Sequence, residues 1–282
     1  MAYGVANRTG RPDRSEAVGI VGEAWESGIR EFDTAQAYGD SERVLGESLR
    51  HLNIAGQANV ITKFHPSLDH LSSAVLENSL QESRTRLGVT RIHGVLLHRE
   101  EMLDLWNRGL AEICLKFVAQ GLVGKVGVSV YSPQRAVEAI KTEGIDIVQV
   151  PTNILDRRFE KAGVFEQAEA RNKDLYVRSI FLQGLVLMKA QELPARMSFA
   201  APVVERIEAL AGEFGFTRHE MAVAYIRSGL PGTKVVFGAE TRRQVRENIA
   251  AWLKEGPPSL LQKIRDDFPD VGECVLSPHL WA

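Results

Sequence analysis

The chain has 282 residues, 44% of them hydrophobic, which is enough to bury one large core. Its 34 basic and 36 acidic side chains leave a formal charge of -2 and no electrostatic footprint for nucleic acid or an acidic membrane, so neither partner is expected. Two cysteines, Cys114 and Cys274, cannot build a disulfide framework, no apolar run approaches the roughly 18 residues of a membrane span, and the N-terminus lacks the charged-then-apolar layout of a secretory signal; a cytoplasmic setting is expected.

An amphipathic stretch from Glu16 to Ser27 predicts the first helix, and Ile29 to Asp33 the first strand, an apolar run closing on a carboxylate. The helix predicted over Ser41 to His51 can be capped by Asp40-Ser41, and the strand from Asn59 to Lys63 ends on an ammonium. Next come a helix over Leu71 to Leu87, a strand from His93 to His98, a helix over Leu110 to Gln120 and a strand from Lys125 to Val130. Ser132-Pro133 supplies a cap and a first-turn proline for the helix from Pro133 to Lys141. Then follow the strand Ile147 to Pro151, the helix Ala162 to Asn172, the strand Leu175 to Ile180, the helix Val203 to Phe214 and the strand Lys234 to Gly238. Thr241 can cap the last ring helix, Arg242 to Leu253; residues 256–282 form a tail with an amphipathic stretch from Leu260 to Phe268. Strand and helix alternate throughout, with no repeat or linker, which predicts an α/β fold of one domain over residues 1–282, a (β/α)8 TIM barrel.

Asp33, Tyr38, Lys63 and His98 lie at or just beyond the C-terminal ends of the first three strands, the face where such a barrel keeps its chemistry. A phenol has an ordinary pKa of about 10, and an adjacent ammonium favours phenolate and lowers it. Lys63 is therefore expected to acidify Tyr38, with Asp33 holding Lys63 and His98 orienting a carbonyl. No side chain delivers hydride, so a nicotinamide cofactor has to carry it.

The segment Gly28 to Ala35, followed by Tyr38 to Glu42 and Leu45-Gly46, resembles the first signature of the aldo-keto reductases, a family with Asp, Tyr, Lys and His in this order on such a barrel. Gly127-Val128-Ser129, Gln149 with Asn153, and Arg178-Ser179 through Gln183-Gly184 are similar to its strand-end cofactor contacts, and the resemblance runs from about Tyr3 to about Leu253. It implies reduction of a small aldehyde or ketone, with Tyr38 as general acid and Ser129, Gln149, Ser179, Gln183 and Gly184 on the cofactor. It also implies an adenosine-phosphate segment at Gly238, Ala239, Gln244, Glu247 and Asn248. Many NADPH-using members carry Lys or Arg where this chain has Gly238, and Arg where it has Gln244, so the expected cofactor is NADP or NAD. Arg242 and Arg243 either compensate or lie on the helix surface.

The resemblance also implies a first strand and a glycine-containing loop ahead of Tyr3 to Pro12, whereas only seven strand-like runs can be read and a closed barrel needs eight. Residues Ala2 to Ala6, or a second copy of the chain, are expected to cover the gap. The gap supports an alternative reading, a dinucleotide-binding regulatory protein or a truncated relative with little catalysis. No His, Cys or carboxylate cluster has metal-ligand spacing, so no metal is expected and His65 reads as a pocket-wall residue. Gly121, Gly124 and Gly127 read as a turn into a strand, Cys114 as a buried thiol, and Trp25, Trp106, Trp252 and Trp281 as packing, with Trp106 a second choice for the pocket. By the resemblance, the tail helps to shape that pocket.

Overall fold

Seven parallel strands, hydrogen-bonded in chain order, curl into the barrel wall: β1 (Glu31–Asp33), β2 (Asn59–Lys63), β3 (Ile92–Leu97), β4 (Val123–Ser129), β5 (Ile147–Pro151), β6 (Asp174–Arg178) and β7 (Lys234–Val235). The computed structural model describes residues 12–281, and these strands are those found among the described residues. Register places Asp33 beside Ile61, Ile61 beside Gly94 and Ser129 beside Gln149, so the polar strand ends share one rim.

Period-two alternation divides each strand between two cores. Ile61, Leu96, Ile147 and Tyr176, with Val236, fill the barrel interior. Val60, Val95, Leu97, Val126, Val128, Val148 and Val150 face outward under the helices. The interior is narrow because two glycines make it so. A Cβ at Gly127 would stand 2.3 Å from the Ile147 carbonyl oxygen, and one at Gly94 2.6 Å from Ile147 Cδ1.

The helices α1 (Arg14–Glu26), α2 (Ser41–His51), α3 (Ser73–Leu87), α4 (Leu110–Ala119) and α5 (Pro133–Lys141) fall close to their predicted positions. Cys114, on α4, is buried, and burial pushes its thiol up to about 12. The next predicted helix, Ala162 to Asn172, is α7 (Val164–Ala170), and Gly163, at φ 65°, separates it from a short helix that was not predicted, α6 (Arg158–Lys161). Between α8 (Ala201–Glu213) and β7 lies a helix that sequence periodicity does not reveal, α9 (Arg218–Gly229). Its residues Met221 to Ile226 are all buried, so no polar face alternates with an apolar one. Its start is fixed by a capping box, with Thr217 N–H donating to Glu220 Oε2 at 2.7 Å and Glu220 N–H to Thr217 Oγ1 at 3.1 Å.

Ser132 and Thr241 cap α5 and α10 (Arg242–Leu253) as predicted. Asp40 stands at the N-cap of α2, but its carboxylate accepts no capping bond and pairs with Arg43 at 3.2 Å. In the tail, α11 (Pro258–Asp267) packs on α9, and Arg265 donates to Glu160 Oε1 at 2.8 Å and to the Gly229 carbonyl at 3.2 Å. No helix among the described residues is long and apolar enough to cross a membrane.

Between β1 and β7, the two ends of the sheet, no backbone pairing occurs among the described residues. Ala2 to Ala6, expected to cover this seam, lie outside the described residues. Side chains bridge it at the N-terminal rim. Lys234 Nζ donates to Glu31 Oε1 at 2.9 Å and to the Tyr176 hydroxyl at 3.1 Å, while that hydroxyl donates to Glu31 Oε2 at 2.6 Å. Asp174 pairs with both Lys234 and Lys125. Removing Glu31 leaves the buried Tyr176 O–H without its acceptor and Lys234 with Asp174 alone as its carboxylate, so Glu31→Ala should cost about 1–3 kcal/mol. Urea unfolding checks this; an unchanged midpoint would show the seam closed by something else.

Candidate active site

Lys63 is the last residue of β2 and is 1% exposed. A cation there requires partners, and it has three: Nζ donates to Asp33 Oδ1 at 2.8 Å, to Asp33 Oδ2 at 2.6 Å and to the Thr34 carbonyl at 3.0 Å. Burial pulls its pKa down, and the Asp33 carboxylate opposes that pull. Asp33 is held from across the barrel as well, because Gln149 Nε2 donates to its Oδ1 at 2.9 Å. Gln149, in the apolar strand β5, is 1% exposed, and a buried amide in such a run is the sequence signal for this contact.

Tyr38 sits in the turn between β1 and α2, with its N–H donating to the Ala35 carbonyl and its own carbonyl accepting from Ser41. Lys63 Nζ lies 5.2 Å from the Tyr38 ring centre, and the His98 ring meets the phenol edge-on at 5.5 Å between centroids. The four side chains predicted from the strand ends are thus brought to one rim. Unlike Tyr176 and Tyr225, whose hydroxyls bind carboxylates, Tyr38 makes no hydroxyl hydrogen bond to a described residue.

The expected acidification of Tyr38 by Lys63 is not what this geometry gives. All three ammonium protons are committed to Asp33 and Thr34, and the paired carboxylate answers the charge. Burial first, and Asp33 second, push the phenol up to about 12; the opposing cation is Arg178. Burial, with Lys63 next, pushes His98 down to about 4, so its imidazole is neutral near pH 7. Its Nδ1 is buried without a hydrogen-bond partner.

Ser129 ends β4 beside Gln149, and Ser179 follows β6 with φ 62°. Leu182, Gln183 and Gly184 continue in left-handed conformation, at φ 45°, 50° and 93°. Consecutive positive φ at non-glycine residues is strain of the kind that gathers at ligand-binding segments. This loop is linked to the segment after β7: Phe181 stacks on His219 at 5.0 Å, and His219 Nε2 lies 2.7 Å from Asn248 Oδ1. Gly238 and Ala239 precede α10; the Gln244 side chain is engaged by the Glu240 N–H at 2.6 Å, and Glu247 by Arg243 at 3.4 Å. Arg242 is drawn to Glu16, which also accepts its backbone N–H at 3.1 Å. His219 was not singled out as a site group from sequence, and Arg178 was named only within the run similar to the strand-end cofactor contacts.

His65, bonded to Ser67 Oγ at 2.7 Å, borders a cleft of about 500 Å3 with Gln36, Gly39 and Ser79, on the far side of the Tyr38 turn. Trp106 is packing: it is 3% exposed and donates to the Glu143 carbonyl at 3.1 Å.

Residues 1–265 match the model of the aldo/keto reductase family. The chain belongs to this family. It is 27% identical to the chloroplastic pyridoxal reductase of Arabidopsis thaliana over 86% of this chain and 77% of that protein. It is also 27% identical to the D-threo-aldose 1-dehydrogenase of a Pseudomonas species, over 94% and 93%. Among solved structures, an aldo-keto reductase from Bacillus halodurans in its holo form superposes with TM-score 0.75, 21% identity and coverage of 94% and 92%. One from Klebsiella pneumoniae, in complex with NADP and acetate, gives 0.75 at 20% identity, with coverage of 96% and 90%. Membership accounts for both the barrel and its chain order of strands and helices.

The buried ammonium gives the site a stability signature. Asp33→Ala should cost about 3–5 kcal/mol by leaving a buried charge unpaired, and adding Lys63→Met should recover much of it. Without Asp33 the folded pKa of Lys63 falls further below 10.5, the unfolded chain binds the extra proton, and the deficit shrinks as pH rises toward that value. Urea titrations at neutral and alkaline pH measure it; a pH-independent deficit would contradict the account.

Proposed function

We propose that this protein is a cytoplasmic, single-domain reductase of small aldehydes or ketones that uses NADPH or NADH. One observation carries the reading: a hydroxyl with no partner among the described residues, that of Tyr38, stands beside the Asp33–Lys63 pair and the His98 ring at one barrel rim. Family membership supports it, as do a relative named as a reductase and a fold neighbour solved with NADP.

Ser129, Gln149, Ser179, Gln183 and Gly184 would hold the nicotinamide and pyrophosphate side of the cofactor, and Gly238, Ala239, Gln244, Glu247 and Asn248 its adenosine. The unpartnered His98 nitrogen and the strained turn at 182–184 fit a site shaped for a polar ligand. When bound, the cofactor supplies the hydride. His98, neutral, donates one N–H to the carbonyl oxygen and orients it. Tyr38 holds its proton throughout the physiological range and releases it to that oxygen as negative charge develops there; an alkoxide is a stronger base than a phenolate, so the transfer runs downhill. Lys63 and Asp33 act as a fixed ion pair behind the phenol and anchor the rim on which it stands.

The second reading, a dinucleotide-binding regulator or a relative with little catalysis, is favoured by the unpaired seam between β1 and β7. Pairing of a second copy at this seam belongs to that reading, and sedimentation tests it. Oxidation of NADPH and NADH with a panel of small aldehydes, alongside cofactor titration by fluorescence, separates the two: binding without oxidation sinks the reductase. For the enzyme, Tyr38→Phe should lower kcat by roughly 10²–10⁴ while cofactor affinity is retained. Equal loss of turnover and binding would contradict the proton-donor role.

A further inference from the structure

Arg178 closes β6 on the same rim as the Asp33–Lys63 pair, close enough for its charge to act on both Tyr38 and Lys63. A guanidinium has five N–H donors, and the structure engages only two of them, both on neutral oxygens. One nitrogen donates to the Val130 carbonyl at 3.2 Å and another reaches Ser179 Oγ at 3.4 Å. No carboxylate among the described residues pairs with it. Most arginines that lie partly buried here have one: Arg86 with Glu42, Arg157 with Glu160, Arg265 with Glu160.

The group is nevertheless held in place. Its guanidinium carbon lies over the Tyr131 ring, 4.2 Å from the centroid. Tyr131 is fixed in turn, because Glu100 Oε2 accepts the backbone N–H groups of Tyr131 at 2.7 Å and Ser132 at 3.0 Å. Glu100 is thereby committed to the backbone and leaves the cation unanswered. Tyr131 itself is 56% exposed, so the stack forms a shelf open to solvent at the mouth of the site.

Charge bookkeeping at the rim points the same way. Asp33 is neutralised by Lys63 and His98 is neutral, and neither Arg178 nor the exposed Arg99 forms an ion pair with a described carboxylate. Arg178 crosses from β6 toward β4, to Val130 and Tyr131, whereas the strained turn at 182–184 and the segment from Gly238 to Asn248 run the other way, toward α9 and α10. Ser129, Gln149 and Ser179, read above as holding the nicotinamide side, flank the guanidinium, which places it where cofactor and substrate would meet.

We propose that Arg178, presented on the Tyr131 shelf, selects carbonyl substrates that carry an oxyanion, a carboxylate or a phosphate, which the guanidinium engages with its unused N–H groups. The inference rests on the reductase reading and names the substrate class of that site. A flat fork matches two oxygens of one oxyanion, which a lysine cannot do, so the geometry of the residue and its charge both contribute.

The test compares three aldehydes of one shape, benzaldehyde, para-carboxybenzaldehyde and para-formylphenyl phosphate, with wild-type protein, Arg178→Met and Arg178→Lys. Wild type should prefer an anionic aldehyde to benzaldehyde in kcat/KM, and the ranking of the two anions tells which oxyanion the shelf takes. In Arg178→Met that preference should fall by roughly 10- to 100-fold, mainly through KM of the anionic substrate, with partial return in Arg178→Lys. Turnover of benzaldehyde by wild type with no preference for either anion overturns this inference alone. So does an equal loss for all three aldehydes, or a loss that tracks weakened NADPH binding, since the guanidinium would then serve the cofactor or the phenol. If folded wild type reduces none of the three with either cofactor, the reductase reading falls, and this inference with it. Should Arg178→Met fail to fold, Arg178→Lys and Tyr131→Ala, which removes the shelf, carry the same comparison.

Discussion

A lysine ammonium almost wholly removed from water is the constraint on which the rim depends. Lys63 can be charged there only because Asp33 and the Thr34 carbonyl take all three of its protons. That requirement fixes the end of β1 against the end of β2, and Gln149 extends it to β5 on the opposite wall. The turn bearing Tyr38 leaves β1 immediately after this anchor, and His98 leaves β3 beside it, so their relative positions follow from the ion pair. Asp33 thereby has two effects of opposite sense: it keeps Lys63 charged, and it raises the proton affinity of the phenol in front of it.

Much of this was legible in the amino-acid order, because parallel strands announce themselves as short β-branched runs and the rim residues close those runs. Asp33 and Lys63 are strand termini in the structure as in the reading, and α2, α5 and α10 keep their predicted limits. What was hidden has physical reasons. Helix α9 is buried on nearly every side, which erases the periodicity that reveals a surface helix. The strand read as Lys234 to Gly238 is in register with β6 at Lys234 and Val235, with a last bond from the Val236 N–H to the Val177 carbonyl, because ladder length depends on what stands alongside and not on β propensity. Proximity in sequence between a lysine and a tyrosine could not tell which acceptor would win the ammonium protons. The pairing of Arg242 with Glu16 and of Arg243 with Glu247 was equally unreadable, since it joins side chains whose choice of partner is made by the packed surface.

The electrostatic character of the rim is set by charges that lack partners as much as by those that have them. Nearly every buried or half-buried ionic group elsewhere is answered locally, as at the Glu31, Tyr176 and Lys234 cluster. Among the described residues, buried nitrogens without a partner occur at His70, His93, His98 and Arg157; the one at His98 differs in sharing its rim with a guanidinium that has N–H groups unused by described residues. The strained turn after β6 belongs to the same pattern, a conformation retained although local sequence alone would relax it.

The strand ladder joins only neighbours in chain order, so each backbone pairing spans a single β–α–β unit. The ring is closed by side chains far apart in sequence: Glu31 and Lys234, separated by 203 positions, and, between α1 and α10, Glu16 and Arg242, separated by 226. Closing loops this long carries a larger ordering entropy than pairing chain neighbours. An assembly that grows by adding one unit to the next leaves this latch until the others are in place, and thermal breathing of the native ring has its least costly opening at the same point. Exchange of amide protons should accordingly mark the wall as two different materials, slow along the central strands and fast at the two that flank the latch.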